Sequence, residues 1–283
     1  MRIEKNYCFF LIAISVILGI SGCEKNNPKP TPKPIDPNEV PTVLIGTWKQ
    51  TAFDGQMILT DDTKIFEFYT KPDTEGNYPG NGVVSEKSVG VNSEPIWQEI
   101  LSKYTYRDSV ITITGTTNNP FKTFVYTYRI TELTDSKLDM TLSDKYINGN
   151  YYPDNTIGKN VVFEKVAANT SGKIAKMWKE KSKNGTMEQK FGLYFNLNTF
   201  DYYYYDDNEI PHIKNDHQGS YWFYDNFFVL RYFDDPDTGD QQYHVDCWDV
   251  ELEERDNQRT MTLNASRGGG VREAYVFTHF DKP

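Results

Sequence analysis

The chain has few cysteines, an acidic rather than basic balance, and no apolar stretch long enough to form a spanning helix. Cys8, Cys23 and Cys247 are its only cysteines, too few for the disulfide framework of a small secreted domain. Lys and Arg number 30 against 40 Asp and Glu, a formal charge of −10. That removes the basic footprint of non-specific nucleic-acid binding, so no nucleic-acid partner is expected. No G-x-S-x-G nucleophile elbow occurs. Aromatics, by contrast, are abundant: 20 Tyr, 17 Phe and 5 Trp in 283 residues. Tyr and Phe favour strands, so the excess points to a β protein. The length allows one or two domains of ordinary soluble composition.

The first residues read as a targeting segment. Arg2 and Lys5 precede Phe9–Ile20, an apolar run of twelve residues, too short to span a bilayer. It ends in Ile20-Ser21-Gly22-Cys23. This resembles the lipobox of bacterial lipoprotein signal peptides, in which small residues precede a cysteine that is acylated before cleavage. The resemblance implies a signal peptide over 1–22, a lipid (palmitate among its chains) on Cys23, and attachment to the cell envelope at the outer membrane, on either its periplasmic or its surface face. Each buried methylene contributes about 0.8 kcal/mol to such an anchor. The plainer alternative is a secretory signal with a chance cysteine. Residues 23–40 then form a linker, in which Pro28, Pro30, Pro32 and Pro34 alternate and favour a semi-rigid polyproline II spacer. Cleavage before Cys23 leaves Cys247 as the one remaining thiol, so the mature chain is expected to hold no internal disulfide.

The remainder reads as a divergent tandem repeat, with one domain over 41–168 and a second over 169–283. Ile45-Gly46-Thr47-Trp48-Lys49 opens the first copy and Ala175-Lys176-Met177-Trp178-Lys179 the second. Tyr104, Met140 and Phe163 have counterparts in Tyr221, Met261 and Phe277, in the same order with drifting spacing, as when loops change length around fixed strands. Phe124, Tyr126, Tyr128 and Ile130 recur at period two, as do Leu138, Met140 and Leu142, which places each set on one sheet face. Asp108-Ser109 and Asp225-Asn226 fall where tight hairpins are needed. One helix is expected over Pro95–Ser102, from its apolar spacing and its proline in the first turn.

These residues resemble the lipocalin-like domains of Gram-negative envelope lipoproteins. Gly46-Thr47-Trp48 is similar to the G-x-W motif that opens a lipocalin barrel, and the aromatic hairpins around Asp108 and Asp225 are similar to the family's recurring units. The resemblance implies an all-β chain with two tandem antiparallel barrels, meanders of about eight strands each, with room for one small ligand. It makes Trp48 and Trp178 the plugs of the closed ends. Lys176 departs from the motif's glycine, so the second copy is expected to enter its barrel by a different turn and to match a ligand barrel less closely. The family's late arginine has Arg272 as its nearest match in the second copy and Lys159 as the closest basic residue in the first.

Inward aromatics are the candidate ligand contacts: Tyr104, Tyr106, Tyr126, Tyr128, Tyr221, Phe223 and Trp248. The same rings could simply fill the barrels. Outward pairs, Tyr203 with Tyr205 or Trp222 with Tyr224, could form a stacking platform for sugars. His212 and His217 are five apart in a polar stretch, not at a spacing that forces two imidazoles onto one metal, and read as loop residues. His244 and Asp246 share a strand face, which admits a polar pair inside a barrel, although an exposed pair is the plainer expectation. Asp234–Asp240 is acidic but lacks the EF-hand pattern. Ser266-Arg267-Gly268-Gly269-Gly270 does not lead into a helix and so lacks the geometry of a phosphate cradle. Cys247 is expected to be packed rather than reactive. No cofactor, metal or catalysis is expected. The leading expectation is a lipid-anchored envelope protein that binds a small apolar ligand or an envelope component. A glycan-binding surface protein and a purely structural or protein-interaction module are the alternatives.

Overall fold

A computed structural model describes residues 39–91, 95–118, 120–168, 170–186, 191–196, 199–205, 211–213, 219–233 and 243–280. The signal peptide, Cys23, nearly all of the proline-rich linker, His217 and the acidic Asp234–Asp240 segment lie outside them. The described residues form β-strands and short 3-10 turns, with no α-helix.

The first sheet comprises β1 (Gly46–Phe53), β2 (Gln56–Met57), β3 (Ile65–Tyr69), β4 (Asn81–Val91), β5 (Pro95–Arg107), β6 (Val110–Asn118), β7 (Phe121–Leu133), β8 (Lys137–Ile147), β9 (Asn150–Tyr151) and β10 (Asn160–Val166). The second comprises β11 (Lys176–Lys183), β12 (Phe191–Phe195), β13 (Thr199–Tyr205), β14 (Pro211–Ile213), β15 (Gly219–Tyr224), β16 (Phe227–Phe233), β17 (Tyr243–Arg255), β18 (Gln258–Ser266) and β19 (Arg272–Phe280). In the first, β10 pairs with both β1 and β8; in the second, β12 pairs with both β11 and β13. Each sheet therefore closes on itself as an eight-stranded antiparallel barrel, with β2, β9 and β14 as short appendages. Closure removes the sheet edges that would otherwise invite pairing with other chains.

The local chemistry explains the meander. Asp108 and Ser109 have φ of 50° and 62°, the left-handed pair that a two-residue hairpin requires between β5 and β6. Asp225 has φ of 56° between β15 and β16. The alternating residues of β7 and β8 turn Phe124, Tyr126, Tyr128 and Ile130, and Leu138 and Met140, into the first barrel. Leu193, Phe195, Tyr221, Phe223, Phe228, Met261 and Phe277 do the same in the second. The two barrels share one kink: β1 slips register against β10 between Gln50 and Ala52, and β11 slips against β19 between Glu180 and Ser182. The bulge is thus repeated along with the tryptophan two residues before it.

The expected helix is a strand. Pro95–Ser102 lies at the start of β5, which pairs with β4 from Val91↔Pro95 to Asn81↔Thr105. Its apolar residues mimic helical spacing because both strand faces carry them. Ile100 packs into the first barrel, while Trp97 points outward and is buried against the second.

That outward burial joins the barrels. Ile65, Trp97 and Val166 of the first meet Tyr224, Phe227, Val229 and Cys247 of the second in one apolar layer. Polar contacts frame it. Lys49 Nζ lies 2.7 Å from Asp249 and 3.4 Å from Glu164. Asn226 donates to Glu164 at 2.8 Å, the Ser266 amide donates to Thr60 at 2.9 Å, and Arg267 pairs with Asp61.

Candidate functional site

The first strand of each barrel carries a buried tryptophan. Trp48 and Trp178 are wholly buried, and each indole N–H donates to the carbonyl four residues earlier, Leu44 or Ile174, at 2.8 Å. The short 3-10 turn before β1 thus offers its last carbonyl to the indole. A cation covers each ring: Lys165 Nζ is 5.1 Å from the Trp48 ring and the Arg259 guanidinium 5.7 Å from Trp178. Both cations also bind the opening segment, Lys165 to the Val43 carbonyl at 2.7 Å and Arg259 to the Lys173 carbonyl at 2.5 Å. The cations over the indoles are Lys165 and Arg259, and neither Lys159 nor Arg272 takes that place. Lys159 instead pairs with Asp54 at 2.5 Å, and Arg272 merely opens β19. Only residues from different strands meeting over the indole reveal this. Gly46 has φ of 124°, a conformation that favours glycine. Lys176 at the matching place does not prevent the second barrel from closing or its tryptophan from docking.

Each barrel also keeps a space among its side chains. In the first it is about 200 Å³, walled by Phe66, Tyr126, Tyr128 and Phe163 with Lys64 and Lys145 among its lining. Both lysines are committed to carboxylates, Lys64 to Glu86 at 2.6 Å and Lys145 to Asp154 at 2.5 Å. The Glu86 carboxylate holds the Lys64 ammonium above its ordinary pKa. Tyr126 stacks on Phe124, with ring centroids 4.8 Å apart.

The second cavity is larger, about 290 Å³, and its walls include Phe200, Leu230, Trp248, Leu263 and Phe277. Lys183, Tyr232 and Asp246 bring polar atoms to it. The volume is close to the lower end for small-molecule sites, ~300 Å³. The Tyr232 hydroxyl donates to Asp246 Oδ2 at 2.7 Å, and His244 stacks on the Tyr232 ring at 5.6 Å. The Arg267 guanidinium lies 4.6 Å from the Trp248 ring centroid, and Tyr275 meets the same indole edge-on at 5.4 Å. Burial pushes the Asp246 carboxyl above its usual range; the bond from Tyr232 and the charges of Arg267 and His244 oppose this, while Asp61 reinforces it.

That shift has a sign in stability. The folded carboxyl holds its proton more tightly than the unfolded one. Burial of the ionised form thus costs stability above the folded pKa, and the cost vanishes below the unfolded value. Asp246→Asn is accordingly expected to raise the urea midpoint at pH 7, with the gain shrinking as the pH falls toward 4. An equal change at both pH values would show that ionisation of Asp246 is not its source.

Among the residues singled out from sequence, Tyr126 and Tyr128 line the first cavity and Trp248 the second. Tyr104 does not line either cavity. It is buried edge-on to Phe68 at 5.3 Å, and burial pushes its hydroxyl up to about 12. Tyr106 packs against the first core. Tyr221 and Phe223 belong to the second core, where Tyr221 meets Phe195 edge-on at 5.1 Å and its hydroxyl donates to the Asn196 carbonyl. Trp222 and Tyr224 form no exposed platform, because the first barrel covers them: Tyr224 is buried in the layer between the barrels and Trp222 packs against it. Tyr203 is half-buried, and the side chain of Tyr205 lies outside the described residues. His212 sits on the short strand β14 rather than in a loop, stacked on Tyr204 at 5.2 Å. Asp246 faces the interior, against the plainer expectation of an exposed pair. Cys247, its outward neighbour, is buried between the barrels, and burial raises its thiol pKa. Sequence reasoning passed over Lys183 and Tyr232, for which alternation along β11 and β16 was the available clue.

No protein-family model matches this chain, and neither the curated proteins nor the solved structures hold a match to it.

Proposed function

We propose that this chain is a lipid-anchored envelope protein whose second barrel holds a small, mainly apolar ligand. The observation that carries the binding half is the cavity of about 290 Å³ with aromatic walls and a few convergent polar groups, the composition of a small-molecule site. The anchoring half rests on the basic start, the apolar run and Ile20-Ser21-Gly22-Cys23. The reading gives the barrel a holding role, with the rest of the chain serving to place it at the membrane.

Two measurements test the halves separately. Cells fed labelled palmitate are expected to label the native chain and leave Cys23→Ser unlabelled; an unlabelled native chain would end the anchoring claim. Native mass spectrometry of protein extracted from its membranes is expected to show a retained small-molecule adduct. Leu230→Phe puts a ring into the second cavity and is expected to remove the adduct. Leu142→Phe, which crowds the first cavity, is expected to keep it. An adduct indifferent to Leu230→Phe, or none in the native chain, would refute the assignment.

A further inference from the structure

One wall of the second cavity is braced from the first barrel. Between β2 and β3 the chain makes a short 3-10 turn, Thr60–Asp62, which lies against β17 and β18 of the other barrel. Thr60 is buried and accepts from the Ser266 amide at 2.9 Å. Asp61 Oδ1 accepts from the Arg267 guanidinium, and from the Cys247 amide at 3.4 Å. The Arg267 guanidinium lies 4.6 Å from the centroid of the Trp248 ring, and Trp248 lines the cavity. Contacts therefore run from Asp61 through Arg267 to the cavity wall. Arg267 has a second acid within reach, Glu273 of its own barrel, with Nε 3.4 Å from its carboxylate. Three glycines, Gly268-Gly269-Gly270, follow Arg267 and leave its backbone little side-chain packing. The placement of the guanidinium thus depends on which carboxylate holds it. Both charges also reach the acid inside the cavity: Arg267 lowers the Asp246 pKa and Asp61 raises it.

Resting on the reading that this cavity holds a ligand, we propose that the binding site of the second barrel is incomplete without the first. Asp61 is a positioning residue: it fixes Arg267 on the Trp248 ring and so sets how firmly that wall closes on an apolar body. The ligand is then held by the tandem rather than by one half of it. Coupling of this kind is reciprocal, so a ligand in the second barrel also tightens the contact between the barrels. The other polar contacts across the interface have no such reach. Asn226 bonds Glu164 at 2.8 Å, and neither residue lines the cavity or touches the Trp248 ring.

Equilibrium dialysis of 2-methylnaphthalene against the full chain in nanodiscs tests this, with empty nanodiscs correcting for partition. The share of binding that Leu230→Phe removes reports the second cavity. Asp61→Asn keeps the shape of the side chain and removes its charge, and Arg267→Gln removes the guanidinium. The Asp61 side chain is 44 % exposed, so its replacement is expected to leave the chain folded. Each substitution is expected to weaken the second-cavity share by about fivefold, the lower end of coupling between sites. The double variant is expected to lose about fivefold as well, rather than the roughly 25-fold of two independent effects. Asn226→Ala breaks a different bond between the barrels and is expected to leave the affinity within about twofold. Each dialysis is run well below the variant's thermal midpoint, so that affinity is read on folded protein. An Asp61→Asn chain that binds as the native one does, a double variant with additive losses, or an equal loss in Asn226→Ala overturns the proposal. If the native chain binds no probe, or Leu230→Phe leaves binding untouched, the ligand-holding reading falls and this proposal falls with it.

Discussion

Trp48→Ala and Trp178→Ala are each expected to lower stability by about 3–5 kcal/mol, the usual cost of truncating a buried aromatic. On a folded region of this size that corresponds to a fall of roughly 6–20 °C in thermal midpoint. Three losses combine at each site. Removing a wholly buried indole leaves a cavity in the barrel core. The carbonyl of Leu44 or Ile174 loses its 2.8 Å donor. The cation that rested on the ring, Lys165 or Arg259, loses its partner. Trp48→Phe separates these terms. It keeps a ring under Lys165 and removes the N–H, so it is expected to cost about 1–3 kcal/mol. Calorimetry of the two alanine variants side by side checks the symmetry of the repeat. A change confined to one of them would mean that only one barrel depends on its tryptophan.

Phe227→Ala is expected to destabilise both barrels together, again by about 3–5 kcal/mol. Phe227 belongs to β16 of the second barrel, yet it is wholly buried on that barrel's outer side. There it lies 6.2 Å from the ring of Trp97 in the first barrel and beneath Lys49, 5.4 Å from its ring centroid. Lys49 is itself held between Glu164 and Asp249, so the substitution loosens an ion pair as well as a packed ring. Because the layer is shared, the folded region is expected to melt in one transition, and Phe227→Ala to move that transition as a whole. The second half expressed alone would bare Tyr224, Phe227 and Val229 as one apolar face and is expected to self-associate. Two separate transitions in the native chain, with Phe227→Ala moving only the later half, would refute the joint behaviour.

The particular residues show why some features were readable and others were not. Trp48 and Trp178 were legible because their motif is local and each lies four residues after its acceptor. The inward faces of β7, β8 and β18 were legible because alternation needs only neighbouring residues. The strand at Pro95–Ser102 was misread as a helix because an apolar residue on a strand's outer face breaks the alternation that marks a half-buried strand. Here Trp97 is outward and buried, for a reason that lies more than a hundred residues away at Tyr224 and Phe227. The same cause defeated the expected platform at Trp222 and Tyr224. Aromatics outside a barrel look exposed until a second barrel is placed against them. Asp246 was passed over as an exposed partner of His244 because a lone carboxylate on a strand is usually solvated, and nothing nearby in the chain announces Tyr232 across the ladder.

Residue order along the chain was sufficient for the all-β class, the doubled meander and the hairpin turns, since each depends on side chains a few positions apart. It was insufficient for the covered outer faces, for the cations over the indoles and for the unequal cavities. A barrel's void is the difference between the volume its strands enclose and the summed volume of inward side chains from eight strands, so one local stretch says little about it. The contact between barrels rests on pairs such as Lys49 and Asp249, which lie 200 residues apart and meet only after both sheets have closed.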